Sequence, residues 1–115
     1  MSDRPLREPT FLVLTALAGE PRHGYAVLED VAAMTGGRVR LRAGTLYAAL
    51  DRLRSEGLIE VDREEVVRSR LRRYYKLTAS GEQSLATETA RLRGQAAIAE
   101  ERLRVRGITF GGATA

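Results

Sequence analysis

Residues 10–18, TFLVLTALA, are apolar nearly all the way round a helix, and this segment constrains the fold more than any other. A helix with one apolar stripe can lie on a surface. One that is apolar on every side must be enclosed by other elements. The rest of the chain therefore has to supply walls around it. Pro9 suits a first helical position, because its missing N–H would have no partner there and its φ is already helical. Gly19-Glu20-Pro21 stops the helix.

Two amphipathic segments can furnish those walls. Over 23–35, Gly24, Val27, Leu28, Val31 and Met34 follow one helical stripe, and Gly36-Gly37 ends it. Over 43–56, Leu46, Ala49, Leu50 and Leu53 form a second stripe, with Gly57 as the stop. Between them Arg38-Val39-Arg40-Leu41-Arg42 alternates with period two and reads as a brief strand. Residues 58–63 and 70–77 read as two longer strands, which makes the charged stretch 64–69 a hairpin tip. It lacks Gly and Asn, so it declares no turn type. Thr78 is placed to cap a last helix over 79–105, which Gly107 ends.

The order is helix, helix, short strand, helix, two-stranded hairpin, long helix, the pattern of a winged helix-turn-helix. The expected fold class is mainly α with a small β-hairpin. Its parts are a flexible arm (1–8), a winged helix-turn-helix domain (9–78), a long C-terminal dimerisation helix (79–106) and a flexible tail (107–115).

Composition narrows the function. At 115 residues, 43% hydrophobic and 30% charged, the chain has room for one modest core plus an accessory element. A net charge of +4 makes a polyanion a plausible partner. Lys76 is the only lysine among 19 cationic residues. Arginine forks onto phosphate or guanine where lysine acts as a point charge, although GC-rich codons produce the same bias. The absence of cysteine excludes disulfides, thiolate metal sites and thiol redox sensing. No apolar run approaches the ~20 residues that span a bilayer, so no membrane partner and a cytoplasmic location are expected. His23 is the only histidine and reads as a helix-start residue rather than a catalyst or ligand. With no nucleophile motif, P-loop or dinucleotide fingerprint, an enzyme, a metal and a cofactor are not expected.

Gly24-Tyr25, Gly44-Thr45-Leu46-Tyr47, Leu50, Arg52-Leu53, Glu56-Gly57-Leu58-Ile59, Arg73-Tyr74-Tyr75 and Leu77-Thr78-Ala79-Ser80-Gly81 stand in a recognisable order. Over about residues 10–92 the chain resembles the PadR family of bacterial transcriptional regulators. Each piece alone is weak; the ordered set is specific. The resemblance implies a winged-helix DNA-binding domain, dimerisation through the C-terminal helix, and repression commonly relieved by a ligand or signal. With a single long C-terminal helix, the chain is similar to the shorter members. It departs from them in two places. The charged wing tip lacks the usual glycine, and the absence of Trp argues against a tryptophan-lined drug pocket.

Within that frame, the third helix is the reader of DNA. Gly44, Thr45 and Ala48 are small and let its first turns approach base edges. Its N-terminus favours phosphate, Arg42 stands just ahead of it, and Arg52 can reach phosphate or guanine. Asp51 would repel phosphate, so it is expected to pair with an arginine or point aside. A plain amphipathic helix with a solvated face fits the same spacing. Tyr25 and Tyr47 lie off their buried stripes, where each hydroxyl can meet a phosphate or the ring can pack at the domain edge. On the second wing strand Leu71, Arg73, Tyr75 and Leu77 share one face, and Arg70, Arg72, Tyr74 and Lys76 the other. The second set suits phosphates or a minor groove. An edge strand also carries charge merely to prevent aggregation, and Asp62, Glu64 and Glu65 weaken the positive field. The candidate DNA contacts are Tyr25, Arg42, Gly44, Thr45, Tyr47, Ala48, Arg52, Arg70, Arg72, Arg73, Tyr74 and Lys76.

The last helix would be ~40 Å long, more than so small a domain is wide. Leu85, Leu92 and Ala99 recur every seven residues, with Thr89, Ala96 and Leu103 offset by four. This impure seam calls for a second copy to cover it, helped by Phe11 and Leu14 of the apolar first helix. The expected function is a sequence-specific regulator that binds double-stranded DNA, acting as a homodimeric repressor on a palindromic operator. A small-molecule effector is compatible with a pocket lined by Leu and Ala between the central helices. The alternative is a winged-helix protein-interaction module that binds no DNA.

Overall fold

The apolar first helix is enclosed as its composition requires. In the structure, a computed structural model describing residues 5–110, α1 (Glu8–Gly19) buries Thr10, Leu12, Val13, Leu14, Ala16 and Leu17. The walls are α2 (Gly24–Met34), α3 (Ala43–Ser55) and the start of α4 (Ala79–Val105), with a small sheet closing one side. Leu14, Leu46, Leu50, Leu53, Val13, Val27 and Val31 are the large, fully buried side chains. Enclosing each contributes about 1.5–3 kcal/mol of apolar transfer energy.

The sheet is antiparallel and three-stranded, in the order β1-β3-β2, with β1 (Arg22–His23), β2 (Ile59–Val67) and β3 (Arg70–Leu77). Its short strand is not where the sequence pattern put it. Residues 38–42 alternate in polarity but form no strand. After Gly36 and Gly37, both at positive φ, Thr35 Oγ1 accepts from the Val39 amide and holds the segment as a turn and linker. The third strand comes instead from Arg22 and His23, which pair with Tyr75 and Tyr74. Two residues between Pro21 and a helix carry no readable period.

The hairpin is also longer and tighter than expected. β2 runs on through the charged stretch to Val67, leaving a two-residue turn of Arg68 and Ser69. Both have positive φ, 53° and 66°, the backbone of a type I′ hairpin turn without its usual Asn-Gly. A register shift between Val61 and Arg63 marks a bulge in β2.

The 27-residue α4 begins as expected, with the Thr78 hydroxyl accepting from the Gly81 amide at 3.0 Å. Its first turns pack on the domain. Gly81 and Glu88 are buried, and Leu85 is partly buried against the core. From Leu92 onward every described residue is exposed, so the distal half projects and the molecule reaches 59 Å along its longest axis. Gly107, at positive φ, ends the helix while the Ile108 amide donates back to Leu103 O.

Two expectations about the ends change. Leu14 is enclosed by its own chain and offers nothing to a partner, and Phe11 is packed against the core. Part of the supposed loose arm is tied down. Leu6 packs on the core, while Glu8 already belongs to α1. The remainder of the arm (1–4) and of the tail (111–115) lies outside the described residues.

Candidate nucleic-acid interface

α3 begins differently from α2 and α4. At α2 the His23 Nδ1 accepts from the Ala26 amide at 3.4 Å, and at α4 Thr78 does the equivalent for Gly81. At α3 the N-cap is Arg42, whose side chain accepts no such bond. The first amides of α3 therefore face outward without a side-chain acceptor, at the positive end of the helix dipole. The exposed residues on those turns are small: Gly44, Thr45 and Ala48. A β-carbon on Gly44 would meet nothing within 4 Å, so packing inside the chain does not require a glycine there.

Beside this helix lies an open groove of about 950 Å³ between α2, α3 and the hairpin wing. Tyr25 and Tyr47 line it, 63% and 46% exposed, together with His23, Asp51, Leu71, Arg68, Arg70, Arg72 and Arg73. Of the two readings of Tyr47, the structure shows the packing one at the domain edge. Its ring lies over Gly24, and its flank remains open to the groove.

The row of wing cations divides into two halves. In the lower half the acidic strand β2 neutralises its partner. Lys76 sits 3.8 Å from Glu60 and 3.6 Å from Asp62, and Arg73 Nε donates to Glu64 at 2.8 Å. The Tyr74 hydroxyl donates to Glu65 at 2.9 Å. The Tyr74 ring is covered by Arg63 at 3.8 Å and met edge-on by His23 at 5.3 Å. Each exposed pair adds little to stability, but together the carboxylates offset the positive charge along this stretch. Arg73, Tyr74 and Lys76, expected as DNA contacts, are thus engaged with the wing's own carboxylates. Toward the tip the balance reverses. Among the described residues no carboxylate lies within 4.0 Å of Arg68, Arg70 or Arg72. Sequence alone does not single out Arg68, because the tip 64–69 declares no turn type and so does not show which of its residues stands at the turn.

Arg52 and Asp51 also differ from expectation. Arg52 donates to the Thr10 hydroxyl at 3.2 Å and approaches Glu56 at 3.8 Å, which ties it to the α1 flank of the helix, away from the groove. Asp51 lines the groove yet has no cation within 4.0 Å among the described residues. Groups of three or more His, Asp or Glu able to hold a metal ion are absent among the described residues, and no helix there is long and apolar enough to cross a membrane.

Comparison with known proteins decides the family. The model of the transcriptional regulator PadR-like family matches residues 13–87, from the core of α1 into α4. The chain belongs to this family. Its members are transcriptional regulators, not enzymes. Among solved structures, a PadR family regulator from Eggerthella lenta is 30% identical, with a TM-score of 0.68 over 83% of this chain and 80% of that one. Bacillus subtilis PadR in complex with operator DNA is 25% identical, with a TM-score of 0.62. That match covers 70% of this chain and 46% of that one, so the chain spans just under half of the operator-bound protein. An uncharacterized protein of Lysinibacillus sphaericus is 27% identical over 75 residues, 65% of this chain and 69% of that protein.

Proposed function

We propose that the chain binds double-stranded DNA as a symmetric homodimer and represses transcription from a palindromic operator. One observation carries the reading. Tyr25, Tyr47 and the wing cations Arg68, Arg70 and Arg72, which have no carboxylate within 4.0 Å among the described residues, line one groove, and the small residues Gly44 and Ala48 of the uncapped α3 start are helical neighbours of Tyr47 and Asp51 on its wall. Small residues let a helix approach base edges, while free amides and arginines meet phosphates. Membership of the PadR-like family supports this, as does the likeness to a PadR solved on operator DNA.

The contacts assigned to DNA are Tyr25, Arg42, Gly44, Thr45, Tyr47, Ala48, Arg68, Arg70 and Arg72, all in the unit over 9–78. The dimer surface is the distal half of the helix over 79–106. Leu92, Ala96, Ala99 and Leu103 share one side of α4 and are all exposed. A projecting apolar stripe is unfavourable in water, and the same stripe on a second copy covers it. Two copies of α3 then stand about one helical turn of DNA apart, ~34–36 Å. A small effector that alters this spacing would release the operator. The site of action is the cytoplasm.

The test is titration of the full chain, by fluorescence anisotropy at several salt concentrations, with duplexes selected from a random-sequence pool. The expected result is binding ~10³-fold or more tighter to the selected duplex than to its scramble, with log affinity falling linearly in log salt. Arg70→Glu with Arg72→Glu abolishes it. Light scattering gives the mass of two copies. Failure to bind any duplex at low salt overturns the DNA reading, and a monomer at micromolar concentration overturns the dimer.

A further inference from the structure

The outward face of α3 carries one charge, and its sign is wrong for a helix that meets a polyanion. Leu46, Leu50 and Leu53 are buried in the core. Gly44, Ala48, Asp51 and Ser55 form the row on the opposite side, and all four are exposed. Three of them are small, and the Ser55 hydroxyl turns back to donate to Arg52 O at 3.1 Å. Asp51 therefore stands highest on the row. It also lines the groove, one helical turn after Tyr47.

The fold does not use this carboxylate. Arg54 follows it on the same helix, and Arg68, Arg70 and Arg72 line the same groove. None lies within 4.0 Å of Asp51 among the described residues, although Arg52 and Arg73 find carboxylates elsewhere. Nor does Asp51 serve the start of its helix, because only the first four amides are free and it sits in the third turn.

A lone carboxylate on this face raises the cost of binding any duplex, since phosphate repels it whatever the sequence. The cost is offset only where it meets a hydrogen-bond donor. An ionised carboxylate accepts and cannot donate. In the major groove guanine shows two acceptors, N7 and O6, and thymine shows the O4 acceptor. Adenine shows its N6 amino group beside the acceptor N7. Cytosine shows its N4 amino group with no acceptor beside it. A carboxylate thus fits cytosine and is penalised at the other three bases.

We propose that Asp51 is a specificity-determining residue, whose carboxylate accepts from the N4 amino group of one cytosine and repels duplexes that lack it. The inference rests on the DNA-binding reading above and names a base that this face selects. Asp51 weakens non-specific binding, the opposite of what the arginines around it do.

The test compares the full chain with Asp51→Ala and Asp51→Asn, both at an exposed position of a helix. Each protein selects duplexes from a random-sequence pool, and the enriched sequences are read. Wild type is expected to enrich cytosine at one position, together with its symmetry mate in a palindrome. Asp51→Ala loses that preference by about tenfold and keeps the preferences at every other position. Asp51→Asn moves it toward adenine, whose N6 and N7 match an amide. Asp51→Ala also binds scrambled duplex more tightly than wild type at low salt, a gain that shrinks as salt screens the repulsion. An undiminished cytosine preference in Asp51→Ala overturns the inference. So does a loss of discrimination spread evenly over all positions, the result of a carboxylate that only arranges the groove or the helix. If the wild type selects no duplex, the underlying DNA reading fails and this inference with it. Wild-type selection with no position that depends on Asp51 sinks this inference alone.

Discussion

The end of the Tyr47 ring rests over Gly24, so close that a β-carbon on the glycine would lie 2.4 Å from Oη and 2.7 Å from Cζ. Glycine at the first position of α2 is thus what lets the tyrosine lie along the groove. The atom a methyl group would strike is the far end of a half-exposed side chain, which can swing away. Gly24→Ala should therefore move Tyr47 and leave the fold in place. The expected outcome is a loss of DNA affinity of about tenfold, or ~1.4 kcal/mol. Unfolding free energy should change by less than about 1 kcal/mol. Equal affinities for wild type and variant would remove Tyr47 from the interface.

Gly81 gives the opposite case. A β-carbon there would lie 2.0 Å from the Leu58 carbonyl oxygen, which is backbone and cannot rotate aside. The Leu58 oxygen also accepts from the Thr78 amide, and the Thr78 hydroxyl both donates to Gly57 O at 2.6 Å and caps α4. Gly81→Ala must separate α4 from the start of β2. A destabilisation of about 2–4 kcal/mol is expected by chemical denaturation. A change under about 1 kcal/mol would show that this junction yields more easily than its geometry implies.

How much of this was legible in the sequence depends on the range of the interaction involved. The helices, the strand β3 and the Thr78 cap follow from period and local chemistry, and were read to within a few residues. The strand β1 was invisible, because two residues have no period and only the distant Tyr74 and Tyr75 make them a strand. Residues 38–42 show the reverse error, since alternation without a pairing partner produces no strand. The site divides in the same way. Gly44, Thr45, Ala48, Tyr25 and Tyr47 lie where helical spacing places them. The fate of Arg52 depended on Thr10 at the far end of the chain, and that of Arg73 and Lys76 on carboxylates across the hairpin. The acidic residues of β2 were the available signal for the latter, and the register was what turned it into pairs.

Gly44 separates stability from recognition. With open space around its would-be β-carbon, Gly44→Ala introduces no clash and improves helix propensity by up to about 1 kcal/mol. Gly44 is exposed and the direction of its β-carbon is open, so Gly44→Leu is expected to be accommodated at the surface as well. If the first turn of α3 approaches base edges, the leucine variant folds at least as stably as wild type and loses specific binding by at least about tenfold. Retained discrimination between selected and scrambled duplex in Gly44→Leu would place the contact surface elsewhere.

The turn offers a gain of stability. Arg68 and Ser69 both sit in the left-handed region, where glycine carries no steric cost. Ser69→Gly should raise the unfolding free energy by roughly 0.5–1 kcal/mol, read as a shifted denaturation midpoint with unchanged m-value. Because Arg68 is retained, DNA affinity should hold. A destabilised variant would mean that the Ser69 side chain contributes more than its backbone strain costs.

His23 sets a pH dependence. It stands at the junction of β1 and α2, its Nδ1 accepting from the Ala26 amide and its ring against the edge of Tyr74. Partial burial holds its pKa below the ordinary histidine value, and the nearby Arg72 pushes the same way, against Glu29 and Glu65. The folded state thus disfavours the proton that the unfolded chain accepts at about pH 6.5. Between the depressed folded value and 6.5 the unfolded chain binds more protons, so stability is fully present above about pH 6.5 and falls as the pH is lowered through that window. It is the only histidine, and no other side chain has its ordinary pKa there. Denaturation midpoints from pH 8 to pH 5 should therefore decline more steeply for wild type than for His23→Gln, whose side-chain oxygen can still accept the Ala26 bond. Parallel declines would show that the carboxylates alone govern the acid limb, and that protonating His23 costs the helix start nothing.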